Sequence, residues 1–287
     1  MTPDGDPEAP RDEPGPDPDD AERTAAPPPD APVGLLREVR ESIQRVDNQD
    51  TPRNRIRRIT QTVWLHLHPA RVARHSVRWR FTLGAGGITF FLFLITLVSG
   101  VLLMLVYRPT PEHAYADMKY LDFDVPFGMF LRNMHRWAGH AMVIMVWIHM
   151  LRVFLTGSYK APRQFNWVVG VFLLTNTMLL AFTGYLLPWD QLSMWAVTVG
   201  TNMAGATPFF GHEGPFADLF GVTRDNDIRA ALLGGSSVGA SALLRFYVAH
   251  CVFLPLLLMG GLIVHFWRIR KDGGISGPGA ARSPTAK

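Results

Sequence analysis

Cysteine is nearly missing: Cys251 is the one thiol in 287 residues. That excludes an intrachain disulfide, a cysteine-based zinc site and a cysteine-ligated iron–sulfur cluster. A basic-then-apolar start is missing as well, so no cleavable secretory signal is expected. Carboxylates are missing from residues 53–80, which hold eight arginines. Charge itself is almost missing from four long stretches, and this excludes an ordinary soluble globule. They run from about Gly84 to Tyr107, Met134 to Leu155, Trp167 to Leu187 and Leu243 to Trp267. Each reaches the roughly 20 apolar residues that a membrane-spanning helix needs.

What is present is strongly segregated. Residues 1–35 hold ten of the 22 prolines and ten acidic residues against two arginines. Such a segment cannot bury enough apolar surface to offset its ordering entropy, so a disordered acidic tail is expected. Residues 36–80 read as a cytoplasmic amphipathic and basic juxtamembrane segment, 81–272 as a four-helix unit, and 273–287 as a short C-terminal tail. The arginine-rich run before the first span favours a membrane surface over nucleic acid, because an apolar stretch follows at once. Arg152, Lys160 and Arg163 lie between the second and third spans, and Arg268, Arg270 and Lys271 follow the fourth. The loops 108–133 and 188–242 carry Glu112, Asp117, Asp122, Asp124, Asp190, Glu213 and Asp218. With four spans, the basic flanks share one side, which the positive-inside rule makes cytoplasmic, and both termini lie there. The expected fold class is an all-α integral membrane bundle of four transmembrane helices.

Ionisable residues at membrane depth are costly and mark function. The second span holds His135, His140 and His149, and the fourth holds His250 and His265. His135 and His149 are 14 residues apart, close to four turns and about 21 Å of helix rise. His250 and His265 are 15 apart, with a modest rotation. These two spans run the same way, so His135 can meet His250 near the outer side and His149 can meet His265 near the inner side. Two facing imidazoles at each of two depths describe two bis-histidine haem sites. Gly86 and Gly100, and Gly170 and Gly184, repeat the 14-residue period on the other two spans, where glycine admits a flat macrocycle edge. One histidine or one glycine pair would be ordinary packing; eight residues on one period are not. His140 lies about 140° around the helix from His135 and is read as a packing residue, as are His66, His68, His75, His113 and His212. Arg132 and Arg152 stand just beyond the outer and inner histidines, placed to pair with haem propionates.

Several long motifs resemble the N-terminal, haem-binding half of cytochrome b from quinol-oxidising cytochrome bc complexes. RNMHRWAGHAMVIMVWIHMLRVF with GSYKAPR resembles the second helix and its following loop. FTGYLLPWDQLSMWAV resembles the quinol-pocket segment, and LLRFYVAHCVFLPLL with HFWRIRKDGGISGP resembles the fourth helix and the C-terminal end of the split, cytochrome b6f-type form. The resemblance spans roughly residues 80–278. It implies a low-potential outer haem on His135 and His250, a high-potential inner haem on His149 and His265, and both haems non-covalent. It implies an outer quinol pocket lined by Met178, Phe182, Tyr185, Leu192, Ala196 and Val199, and an inner quinone site that includes Arg270. Electrons from quinol oxidised outside would then divide between an iron–sulfur partner and the inner quinone. The implied partners are a Rieske iron–sulfur protein, a c-type cytochrome, a separate subunit-IV-like C-terminal half and membrane lipid, in a homodimeric complex of a bacterial inner membrane.

The sequence also departs from the family. No Pro-Glu-Trp-Tyr segment is present, so another polypeptide is expected to complete the outer pocket. Gly84 stands where the photosynthetic form has the cysteine of an extra covalent haem. The loop 212–233 is about a dozen residues longer, and the acidic tail has no counterpart. Two other classes compete: a dihaem membrane anchor of a quinone-linked dehydrogenase or hydrogenase, and a bundle with no cofactor. GYLLPWDQ argues against the first, and the histidine period against the second.

Overall fold

A computed structural model of the protein describes residues 82–272, and the regular elements among them are all helical. The expected acidic tail (1–35), juxtamembrane segment (36–80) and C-terminal tail (273–287) lie outside the described residues. In chain order the helices are α1 (Ala85–Met104), α2 (Ala114–Phe123), α3 (Gly128–Leu155), α4 (Gln164–Leu186), α5 (Gln191–Gly205), α6 (Ile228–Leu233), α7 (Ala240–Val248) and α8 (Leu254–Lys271). A π turn, Ala249–Phe253, joins α7 to α8 without a break. Backbone groups in an apolar run can be satisfied only within their own segment, and this makes such runs helical. Among the described residues, four helices are long and apolar enough to cross a membrane: α1, α3, α4 and the continuous run Ala240–Lys271.

The second span begins earlier than its apolar pattern predicts, at Gly128 rather than near Met134. Arg132 and Asn133 hide its first turns from a hydropathy reading. A Cβ on Gly128 would sit 2.0 Å from the Leu121 carbonyl oxygen, so only glycine allows α2 to turn back so tightly into α3. α1 packs along α3, and α8 along α4. Phe93, Met142, Leu173, Leu180, Leu254 and Leu258 form the core shared by these helices. All six fall within the 14- or 15-residue intervals, so they fill the layer between the two histidine depths. Outward faces stay apolar, as at Phe91, Val98 and Leu105, which suits lipid or partner subunits rather than water.

The segment between α4 and α7 is built from caps. In PWDQ, Asp190 is the N-cap of α5 and accepts from the Ser193 N–H at 2.8 Å. The Ser193 hydroxyl donates to the same carboxylate at 2.8 Å. Asp227 caps α6 in the same way, accepting from the Ala230 N–H at 2.7 Å, and Gly234 ends α6 in the left-handed conformation. Asp117 on α2 is buried and receives the Arg108 guanidinium at 2.6 Å. The Arg108 hydrogen bonds hold its carboxyl below the usual carboxylate range despite burial.

Candidate functional site

The bundle brings the four candidate ligands together as two pairs. The rings of His135 and His250 lie 6.3 Å apart, centre to centre, with planes at 78°. Those of His149 and His265 lie 6.4 Å apart at 82°. A metal held between two imidazole nitrogens at about 2.0–2.1 Å each, with about 1.1 Å from nitrogen to ring centre, requires about 6.3 Å. Both pairs meet that requirement.

The unequal intervals are reconciled by the π turn. Fourteen residues of α-helix fall about 40° short of four turns, and fifteen overshoot by about 60°. The turn at Ala249–Phe253 contains His250 and absorbs the extra residue, so His250 and His265 face α3 as His135 and His149 face back.

Each of the four periodic glycines meets a different histidine of the set. A Cβ on Gly100 would lie 3.1 Å from His135 Cε1, and one on Gly184 only 2.5 Å from His250 Cε1. A Cβ on Gly86 would lie 3.2 Å from His149 Cε1, and one on Gly170 4.0 Å from His265 Cε1 and 3.5 Å from Met150 Sδ. The glycines therefore make room for the imidazoles.

Hydrogen bonds set ring orientation in the His135–His250 pair. Ser99 Oγ lies 2.9 Å from His135 Nδ1. The Leu180 carbonyl lies 3.1 Å from His250 Nδ1, and Thr183 Oγ1 3.2 Å from it. With Nδ1 engaged, Nε2 is left to bind a metal. Neither hydroxyl stood out in the sequence, although Ser99 is the residue next to Gly100 and Thr183 the one next to Gly184.

The remaining expected residues divide between the two ends. Arg132 is paired with the Asp122 carboxylate on α2, and the other oxygen of Asp122 is buried without a partner among the described residues. Arg152 is buried at the C-terminal end of α3. A cavity of about 60 Å³ opens there, lined by His149, His265, Gly170, Asn166, Arg163 and Asp272. Arg268 beside it is fully buried, lies 5.2 Å from the Phe165 ring and pairs with Asp272 at 3.3 Å. Arg270 is half-buried, one residue before the end of α8 at Lys271. At the other end, Phe182 of α4 packs on Gly200 of α5, where a Cβ would come within 2.8 Å of its ring. Tyr185, Leu192 and Val199 share this apolar face and are exposed, while Met178 and Ala196 are half-buried. His212, read as a packing residue, is hydrogen-bonded through Nδ1 to buried Asp227 at 2.5 Å.

The residues fit two haem groups: paired imidazoles at metal-bridging distance, cradled by glycine, with cations at both ends. Residues 72–273 match the family model of cytochrome b/b6/petB. Cytochrome b6 of Heliobacterium mobile is 42% identical over 211 residues, covering 74% of this chain and 90% of that protein. The menaquinol:cytochrome c reductase cytochrome b subunit of Bacillus subtilis (strain 168) is 41% identical over 194 residues, covering 67% of this chain and 80% of its own. A chain of a hyperthermophilic respiratory Complex III superposes with a TM-score of 0.64 at 27% identity, over 81% of this chain. This chain spans 56% of that structural relative. By its sequence match, its helical fold and its four apolar spans, the chain belongs to the cytochrome b/b6 family of integral membrane proteins.

Proposed function

We propose that this chain is the dihaem cytochrome b subunit of a quinol:cytochrome c (or similar acceptor) oxidoreductase. The observation that carries the reading is the pair of histidine pairs, at 6.3 and 6.4 Å, each set against its own glycines. Two b-type haems, when bound, supply reversible one-electron chemistry across the membrane. The chain's part is to hold and insulate them. His135 and His250 bind the outer one and His149 and His265 the inner one. Phe93, Met142 and the leucines between the two depths exclude water from the electron path.

Quinol binds outside, against Met178, Phe182, Tyr185, Leu192, Ala196 and Val199. The open apolar face of α4 and α5 supports a pocket completed by a second polypeptide. An inner quinone meets Arg270 near the inner cavity. The unit is residues 81–272, with basic flanks and both termini on the cytoplasmic side of a bacterial inner membrane. A Rieske protein, a c-type cytochrome and a subunit-IV-like half are its partners, in a homodimer. The names of the relatives support this setting.

Purification of the complex through this chain tests the proposal. Two redox components in the b-type α-band, a Rieske signal and quinol:cytochrome c activity are expected. A single component, or haem without quinol oxidation, refutes it.

A further inference from the structure

The two histidine pairs differ in what engages the second ring nitrogen. Ser99 is fully buried within α1. Its single hydroxyl proton is committed to the Ile95 carbonyl at 2.6 Å. With that proton spent, Ser99 Oγ can only accept at 2.9 Å from His135, so His135 carries its proton on Nδ1. Thr183 is arranged alike, its proton donated to the Leu179 carbonyl at 2.8 Å. The Leu180 carbonyl and Thr183 Oγ1 therefore both accept from His250 Nδ1–H. On the inner side, His265 Nδ1 is buried with no hydrogen-bond partner among the described residues.

An acceptor on Nδ1–H draws its proton away and gives the ring imidazolate character. Such a ring is a stronger donor to iron and favours the more positive, oxidised metal. We propose that Ser99 is a positioning residue that, acting through His135, lowers the reduction potential of the outer centre relative to the inner one. The Leu180 carbonyl and Thr183 do the same through His250. The asymmetry between the centres then originates in α1 and α4, in hydrogen bonds to the ligands. This inference rests on the two-haem reading above and adds the cause of the difference between the two sites.

The test is an optical redox titration of both α-band components in the intact complex, with haem per polypeptide measured alongside. Ser99→Ala removes the hydroxyl that accepts the Nδ1 proton. The oxidised-to-reduced ratio of the outer component at fixed ambient potential should fall about tenfold, which is an upward shift of about 59 mV for a one-electron couple. The inner component should not move, and Ser99→Thr, which keeps the hydroxyl, should restore the original value. If Ser99→Ala does not assemble, Ser99→Cys carries the test, since its weaker acceptor should give a smaller shift in the same direction. An unshifted outer component with normal haem content overturns the inference and leaves the two-haem reading standing. Equal shifts of both components also overturn it, because they mark a general structural change. Absence of b-type haem from the unaltered complex overturns the reading beneath it, and this inference with it.

Discussion

The four glycines provide a graded perturbation whose order the structure fixes in advance. An alanine methyl at Gly184 would lie 2.5 Å from His250 Cε1 and 3.1 Å from both ring nitrogens. Carbon atoms rest at about 3.5–4.0 Å, so the ring must retreat by about 1 Å. Metal–nitrogen distances tolerate only about 0.2 Å, and the ring is also held at Nδ1 by Leu180 and Thr183. Overpacking of this kind costs about 1–3 kcal/mol, or roughly one to two decades in haem affinity. At Gly100 and Gly86 the closest approaches are 3.1 and 3.2 Å, which a small ring displacement relieves. At Gly170 the nearest atom is the thioether sulfur of Met150 at 3.5 Å, an ordinary contact with a flexible side chain. Alanine substitution should therefore deplete the outer component strongly for Gly184, weaken the outer one for Gly100 and the inner one for Gly86, and leave haem content nearly unchanged for Gly170. The assay is redox-resolved α-band absorbance per polypeptide in purified membranes. Equal losses at all four positions, or the largest loss at Gly170, would refute the reasoning that these glycines exist to seat the imidazoles.

Two further outcomes concern carboxylates outside the spans. Asp117 is held below the usual carboxylate range first by its hydrogen bonds from Arg108. A depressed folded value means that its stabilisation is complete above the unfolded pKa of about 4 and is lost as pH falls through the folded value. Arg108→Met should lower the melting temperature above pH 5 and flatten the decline below pH 4; an unchanged acid limb contradicts this. Asp227 is buried, which raises its pKa, but the Ala230 N–H and His212 outweigh that and lower it. Asp227→Ala removes both the α6 cap and the partner of His212, a loss of about 1 kcal/mol from the cap alone. Faster proteolysis within 212–226 with both redox components intact is expected, and loss of either component would show that the loop supports the haem sites.

The reach of the sequence is uneven, for physical reasons. Four spans were legible because a lipid-facing helix must be apolar over its whole length, and hydropathy reads length directly. The start of α3 was not, because Gly128–Asn133 is mixed in polarity and is fixed by a backbone approach to Leu121. The histidine period was legible as a pattern, yet the 15-residue interval looked like a small misfit. A local π turn removes the misfit, and nothing in AHCVF announces one. Glycines were found by period, and the distances add that imidazole rings lie against them. Ser99, Thr183 and Asp122 were passed over, since a single hydroxyl or carboxylate declares its role only when its acceptor or cation is in view. Arg268 and Asp272, four apart, offered an ion-pair signal that the charge count absorbed into the cytoplasmic flank.

The central claim is that His135 pairs with His250 and His149 with His265, as two separate haem sites. Redox titration of the b-type α-band in the four single His→Ala variants tests it most directly. The account predicts that His135→Ala and His250→Ala abolish the same, lower-potential component, and that His149→Ala and His265→Ala abolish the other. Loss of one and the same component in His135→Ala and His265→Ala would contradict it.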